Sequence, residues 1–296
     1  MGVKNFANKS FVTRLCSGIV LVALLILGLI WGGDLWGGKP LFFANLIISL
    51  VAVYELYKAI GIHKKGIAYV GYVALICYYA LIYMTQYGKE IFGRTIHADK
   101  YTMIMLVVFL IVLFAQYVFT YPKYKTEEIS NTLMCMIYAG VMLSYLYQVR
   151  MMDQGVYIVW LIFIASWGSD TCAYVAGVAF GKHKMAPVLS PKKSIEGAIG
   201  GVVGAALIGG IYAAIMAPKI QMNNVVVIFA VVCAVGALIS MVGDLAASAI
   251  KRNHDIKDYG KVIPGHGGIM DRFDSVIYVA PVIWILLTAM KMLKLF

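Results

Sequence analysis

Nine apolar stretches follow one another along this chain of 296 residues, at about 15–31, 41–61, 67–84, 101–120, 131–149, 156–180, 197–217, 223–249 and 275–295. Each is near the ~20 residues with which an α-helix crosses a hydrocarbon core about 30 Å thick. In such a core every backbone N–H and C=O must be satisfied within the protein, which leaves helices or a closed barrel. The runs lack the strict alternation of barrel strands. The expected fold is therefore an all-α integral membrane protein of about nine transmembrane helices, with no soluble domain. Composition agrees: only 13% of residues are charged and 62% are hydrophobic, whereas a soluble domain carries about 25% charged residues. Trp31, Trp36, Tyr101, Tyr121 and Trp160 fall near the predicted ends, where interfacial aromatics belong.

Lys4, Lys9 and Arg14 precede the first run in the manner of a signal peptide. The run is longer than a usual signal core, and Trp31-Gly-Gly-Asp34 follows it in place of a small-residue cleavage site, so it reads as a retained signal anchor. Residues 1–150 then hold five spans. Residues 151–296 hold four, with two polar loops at 181–196 and 250–274. With the N-terminus inside, most of the lysines and arginines fall on one side, which predicts a cytoplasmic N-terminus and places both loops on the cytoplasmic face. The net charge of +11 is accounted for by basic loops beside anionic headgroups. No basic stripe joins a nucleic-acid motif, so nucleic acid is not an expected partner. The five cysteines lie in or at the edges of spans without CxxC spacing, and read as small apolar packers rather than zinc ligands or a disulfide framework.

Against this apolar background, the run from Ser248 to Asp274 is densely charged. Asp244 lies just before it, near the end of the eighth span, where an acid is costly and points to function. On a helix, Asp244, Ser248 and Lys251 share a face, with Arg252 on its border. The bland alternative is an Asp–Lys pair at a helix end. Asp271 and Asp274 are helical neighbours before the ninth span. Carboxylates gathered from two helix ends suit Mg²⁺, which takes few of them and completes its shell with water and phosphate oxygens. The alternative for Asp274 is stabilisation of the ninth helix through its dipole. Between these acids, Pro264-Gly-His-Gly-Gly268 offers a turn whose backbone N–H groups can converge on an anion. Most such turns are only turns.

Asp170 lies inside the sixth span, between Ser169 and Thr171. Beyond it, Lys192 and Lys193 present point charges suited to phosphate, or else ordinary inside-positive charge. Ser194 is placed to cap the seventh helix. Gly197, Gly200, Gly201 and Gly204 read as helix-packing residues.

Taken together, Ser248, Lys251-Arg252, Lys257-Asp258, His266-Gly-Gly268 and Asp271-Arg272-Phe-Asp274 resemble the signature of the CTP:phosphatidate cytidylyltransferase family, the CDP-diacylglycerol synthases. Ser169-Asp-Thr171 and Ser190-Pro-Lys-Lys193 also look like the family; Val178 departs from it, standing where many members carry a basic residue. The specific likeness covers roughly residues 166–275.

The resemblance implies transfer of CMP from CTP to phosphatidic acid, giving CDP-diacylglycerol and pyrophosphate, in a bacterial-type inner (plasma) membrane with the active site facing the cytoplasm. Membrane lipids and a homodimer are among the implied partners. Asp244 and Asp271 are the expected Mg²⁺ ligands, with Asp170 or Asp274 assisting a second cation. Lys192 and Lys251 are expected at the catalytic centre. Lys193, Ser248, Arg252, Lys257, His266, Gly267, Gly268 and Arg272 are expected to bind the phosphates of CTP and lipid. The rival readings are a cytidylyltransferase for another lipid phosphate, such as an archaeal ether lipid, and a membrane transporter. A transporter would place an acid in a span but would not need the Lys/Arg/Gly assembly on one face.

Overall fold

The computed structural model describes residues 18–293, apart from residues 21, 221 and 266 and the side chain of Asp99. The helices, numbered in chain order, are α1 Gly18–Ile30, α2 Lys39–Ile60, α3 Gly66–Phe92, α4 Thr102–Phe119, α5 Thr126–Arg150, α6 Gly155–Phe180, α7 Ile195–Met216, α8 Val225–Asn253 and α9 Met270–Met292. Among the described residues, α2 to α9 are eight helices long and apolar enough to cross a membrane. α1 is shorter as described, and the start of the expected first span lies outside the described residues. The chain is an all-α integral membrane protein.

Several helices outrun the apolar windows that announce them, because hydropathy marks the lipid-facing length while the helix continues into polar residues. α3 passes residue 84 through Lys89 and stops where Gly93 takes a left-handed φ of 68° and bonds back to the Lys89 carbonyl. α8 carries Lys251 and Arg252 in its last turn, and α9 has Asp271 in its first, each favourable to the helix dipole. The stretch 181–196, expected as a plain loop, contains an antiparallel hairpin of β1 (Lys184–Ala186) and β2 (Ser190–Ser194), with Lys184 opposite Ser194.

Two compact units are present. One runs from Asn45 to Ser144; the other joins the residues up to Ala44 with those from Tyr145 onward. The first apolar helix therefore groups with the C-terminal half, rather than with the other early spans.

In the 45–144 unit, tyrosines supply both bulk and hydrogen bonds. The buried Tyr79 hydroxyl accepts from Asn45 Nδ2 at 2.8 Å and shares a 2.6 Å bond with Ser49. Tyr57 donates to the Thr132 carbonyl at 3.0 Å. Its hydroxyl fits because residue 71 is glycine: a Cβ there would stand 2.0 Å from the Tyr57 oxygen. The buried hydroxyls of Tyr79 and Tyr57 thus each have a partner, as a dry interior demands.

In the other unit, α7 packs between α6 and α8, and α9 packs on α8. The expected helix-packing glycines meet α6. A Cβ at Gly200 would fall 2.2 Å from the Ala176 Cβ, one at Gly201 3.0 Å from the Ala173 Cβ, and one at Gly204 2.5 Å from the Cys172 Cβ. Small residues on both helices let the backbones approach closely. Ser194 caps α7, its hydroxyl accepting from the Gly197 N–H at 3.1 Å. Arg150, one residue beyond the fifth apolar stretch, is buried. It donates to the Leu29 carbonyl at 2.7 Å at the end of α1 and pairs with Asp34 at 2.7 Å. Its guanidinium lies over Gly33, where a Cβ would come within 2.5 Å.

A candidate active site shared by three helices

α6 delivers Asp170 just after a π-helical segment, Ile164–Gly168, that packs against α7 and α8. Such wide turns shift the register of the residues beyond them and recur at functional sites. α8 delivers Asp244, and α9 delivers Asp271 and Asp274. Asp170 lies within electrostatic reach of Lys193 and Asp244. Asp274 lies within reach of Asp244, Lys251 and Asp170. Three acids from three helices thus share one field.

Two cavities meet this cluster. The larger, about 550 Å³, is lined by Asp170, Asp244, Lys184, Lys192 and Lys193, with apolar walls from residues such as Val178 and Met241. The smaller, about 280 Å³, is lined by Trp167, Asp170, Asp271, Arg272, Asp274 and Ser275, and by Gly18 and Val22 of α1. Asp170 belongs to both.

Two lysine–carboxylate pairs hold the centre. Lys193, from β2, pairs with Asp244. Lys251 pairs with Asp271 at 3.2 Å. Asp271 is otherwise committed to its own loop. Its second oxygen accepts from the N–H of Tyr259 at 2.8 Å and of Gly268 at 3.0 Å, and its side chain is 3% exposed. Gly267 makes room for this with a φ of +90°; a Cβ there would also come within 2.9 Å of Asp271 Oδ2. The expected anion-cradling turn therefore directs at least the Gly268 N–H to a carboxylate of the protein itself. Tyr259 closes the arrangement: its hydroxyl donates to the Ala247 carbonyl of α8 at 2.8 Å, and Lys251 Nζ sits 5.3 Å from its ring centroid.

The structure brings Asp170, Asp244, Lys192 and Lys193 to one cavity and Asp170, Asp271, Arg272 and Asp274 to the other. Asp244, Ser248 and Lys251 do share a helix, but Asp244 and Lys251 serve different partners. Ser248, Arg252 and Lys257 line neither of these two cavities; Ser248 is half-buried and the other two are exposed. His266 lies outside the described residues. Two residues not singled out from sequence take part, Tyr259 and Lys184. Tyr259 was visible as the aromatic within Lys257-Asp258-Tyr259-Gly260. Lys184 stands before an apolar Met-Ala pair and carries no signal of its own.

No group of three His, Cys, Asp or Glu side chains among the described residues is arranged as a ready metal cluster. The available donors are hard carboxylate oxygens, Asp170 and Asp244 on one cavity wall with Asp274 in their field. That donor set fits a cation that takes one or two carboxylates and fills its remaining positions with water and phosphate. Lysines beside carboxylates, under an apolar wall, can hold a polyphosphate and neutralise charge as it shifts.

Residues 12–290 match the model of the cytidylyltransferase family. The phosphatidate cytidylyltransferase of Bacillus subtilis strain 168 is 30% identical over 276 residues, covering 93% of this chain and 96% of the relative. That of Staphylococcus aureus strain COL is 30% identical over 284 residues, with the same coverages of 93% and 96%. That of Staphylococcus saprophyticus is 32% identical over 182 residues, covering 62% of this chain and 68% of the relative.

Proposed function

The chain belongs to the cytidylyltransferase family, and on that premise we propose that it transfers CMP from CTP to phosphatidate, forming CDP-diacylglycerol and releasing pyrophosphate. The observation that carries this reading is the cavity lined by Lys192 and Lys193 together with Asp170 and Asp244, two acids within the membrane-spanning helices α6 and α8. The relatives' shared name supplies the substrate pair.

A phosphate oxygen of phosphatidate attacks the α-phosphorus of CTP. The bond from that phosphorus to the bridging oxygen breaks, and pyrophosphate leaves with the electron pair. The nucleophile is already ionised, so no strong general base is needed, and positioning dominates. Lys192 and Lys193 bind and neutralise nucleotide phosphates, and Arg272, on the second cavity, serves the lipid phosphate. Lys251 is kept for orientation of the loop through Asp271 and Tyr259. Ser248, Arg252, Lys257 and His266 are assigned to the incoming phosphates. Asp170, Asp244 and Asp274 would hold Mg²⁺, and a second cation where two are used; Asp271 is assigned to latching the loop. Bound Mg²⁺ would supply charge neutralisation and polarisation of the phosphoryl oxygens.

We place the N-terminus and the site on the cytoplasmic side of the plasma membrane, supported by the basic loops and by the cytoplasmic origin of CTP. A homodimer would have to use a surface other than the α7 glycines that meet α6. The deciding experiment supplies purified protein in detergent with CTP, Mg²⁺ and phosphatidate, and follows CDP-lipid and pyrophosphate. Formation of both supports the assignment. Product only from a different lipid phosphate would move the substrate, and none from any lipid phosphate would remove the activity.

A further inference from the structure

Lys184 has no role in the reading above, yet it lines the same cavity as Lys192, Lys193, Asp170 and Asp244. Among the side chains alone, its charge decides the sign of that wall. Asp170 and Asp244 cancel Lys192 and Lys193, so without Lys184 these groups sum to zero. With it the wall is net positive, as a polyanionic ligand requires.

The backbone holding Lys184 is fixed from outside the hairpin. Glu196, in the first turn of α7, accepts from the N–H of Lys182 at 3.1 Å and of His183 at 3.2 Å, and from His183 Nδ1 at 2.6 Å. The Ile195 N–H donates to the His183 carbonyl at 2.9 Å. The two residues before β1 are thus tied to the helix start that β2 runs into. β1 itself is three residues long and carries a register irregularity against β2, so it has little hold of its own. An exposed His–Glu pair alone would stabilise little. Two further backbone bonds to one carboxylate are a device for placing the next residue, which is Lys184.

We propose that Lys184 is a further substrate-binding residue, contacting the phosphates of the nucleoside triphosphate in the larger cavity, and that Glu196 is a positioning residue that holds it there. This rests on the nucleotidyl-transfer reading of the cavity. Lys184 is exposed, so its replacement leaves the fold intact.

The test compares wild-type enzyme with Lys184→Met, Glu196→Ala, Glu196→Gln and the Lys184→Met/Glu196→Ala double variant. Lys184→Met raises the KM for CTP about tenfold, the loss of one charge-assisted hydrogen bond, and leaves the KM for phosphatidate within twofold. Glu196→Ala shifts the KM for CTP the same way, and Glu196→Gln restores it, since an amide oxygen still accepts from the two backbone N–H groups. The double variant is no worse than Lys184→Met alone, because Glu196 acts through Lys184. A wild-type KM for CTP in Lys184→Met overturns the contact while leaving the reaction standing. Additive losses in the double variant overturn the positioning role. Thermal shift with CTP and Mg²⁺ reads the contact without turnover: the shift shrinks in Lys184→Met, and an unchanged shift is a second way for the proposal to fail.

Discussion

Lys193 and Asp244 meet in an ion pair that joins strand β2 to helix α8 on the wall of the cavity both residues line. The pair is about three-quarters shielded on each side, with side-chain exposures of 25% and 28%. The two charges therefore compensate each other, and either partner can be exchanged for a ligand charge.

Replacing Asp244 with Asn removes one half of this pair and one proposed cation ligand. Turnover should fall by about two to three orders of magnitude, as when a preorganised electrostatic group is lost. The protein should still purify as a folded species. Product formation measured beside a melting curve checks this, and near-normal turnover would take Asp244 out of the site.

Asp271 should respond differently. Its substitution by Asn breaks a largely buried pair with Lys251 and weakens two backbone hydrogen bonds that hold the loop after α8. Breaking such a pair costs about 3–5 kcal/mol. Loss of thermal stability and faster proteolysis between residues 254 and 269 should therefore accompany the loss of activity. A variant as stable and protease-resistant as wild type would contradict the latch.

Asp153 and Lys291 form the exposed counterpart, 2.6 Å apart, with side-chain exposures of 85% and 60%. The hydrogen bond and charge of Lys291 hold the Asp153 carboxyl below its usual value. A depressed carboxyl contributes stability above its unfolded pKa and loses it as pH falls through the folded one. Solvent screening limits this to below about 1 kcal/mol. Asp153→Asn should thus lower the melting temperature slightly at neutral pH and low salt, and not in strong acid. A large effect, or one insensitive to salt, would show the pair to be something other than a surface contact.

Gly71→Ala tests the tyrosine interior of the 45–144 unit. The new methyl would collide with the Tyr57 hydroxyl and displace its bond to Thr132. Overpacking of this kind costs about 1–3 kcal/mol. A companion Tyr57→Phe change should recover part of the loss by removing the clashing oxygen. Failure of the double variant to recover would assign the strain to another neighbour.

Much of this architecture was legible because lipid imposes a simple rule: a run of about 20 apolar residues must be helical. The Ser194 cap and the packing glycines of α7 were legible for local reasons, since a cap and a close approach are each set within a few residues. The hairpin was not. Ser190-Pro-Lys-Lys-Ser194 has poor strand propensity, and its pairing depends on a carboxylate at Glu196 and a helix start. Nor was the commitment of Asp271. Its spacing from Asp274 placed both on one helix, but only the path of residues 254–269 turns one acid to the loop and leaves the other facing Asp170 and Asp244. Nor was the burial of Arg150, because sequence shows its distance from a span, not the carbonyls of α1 waiting beside it.

The hydroxyl of Ser194 stands where three glycines crowd one atom. A Cβ at Gly177, Gly181 or Gly197 would come within 3.1, 2.8 or 2.9 Å of it. Those four positions form a single mutational locus. A methyl gained at Gly177 has to be matched by a change at residue 194, which would give up the cap of α7; one at Gly181 or Gly197 also meets a backbone oxygen, that of Gly177 at 2.3 Å or of Ala173 at 2.8 Å. Random mutagenesis should find this seam rigid to single steps, and variants that cross it should carry coupled substitutions.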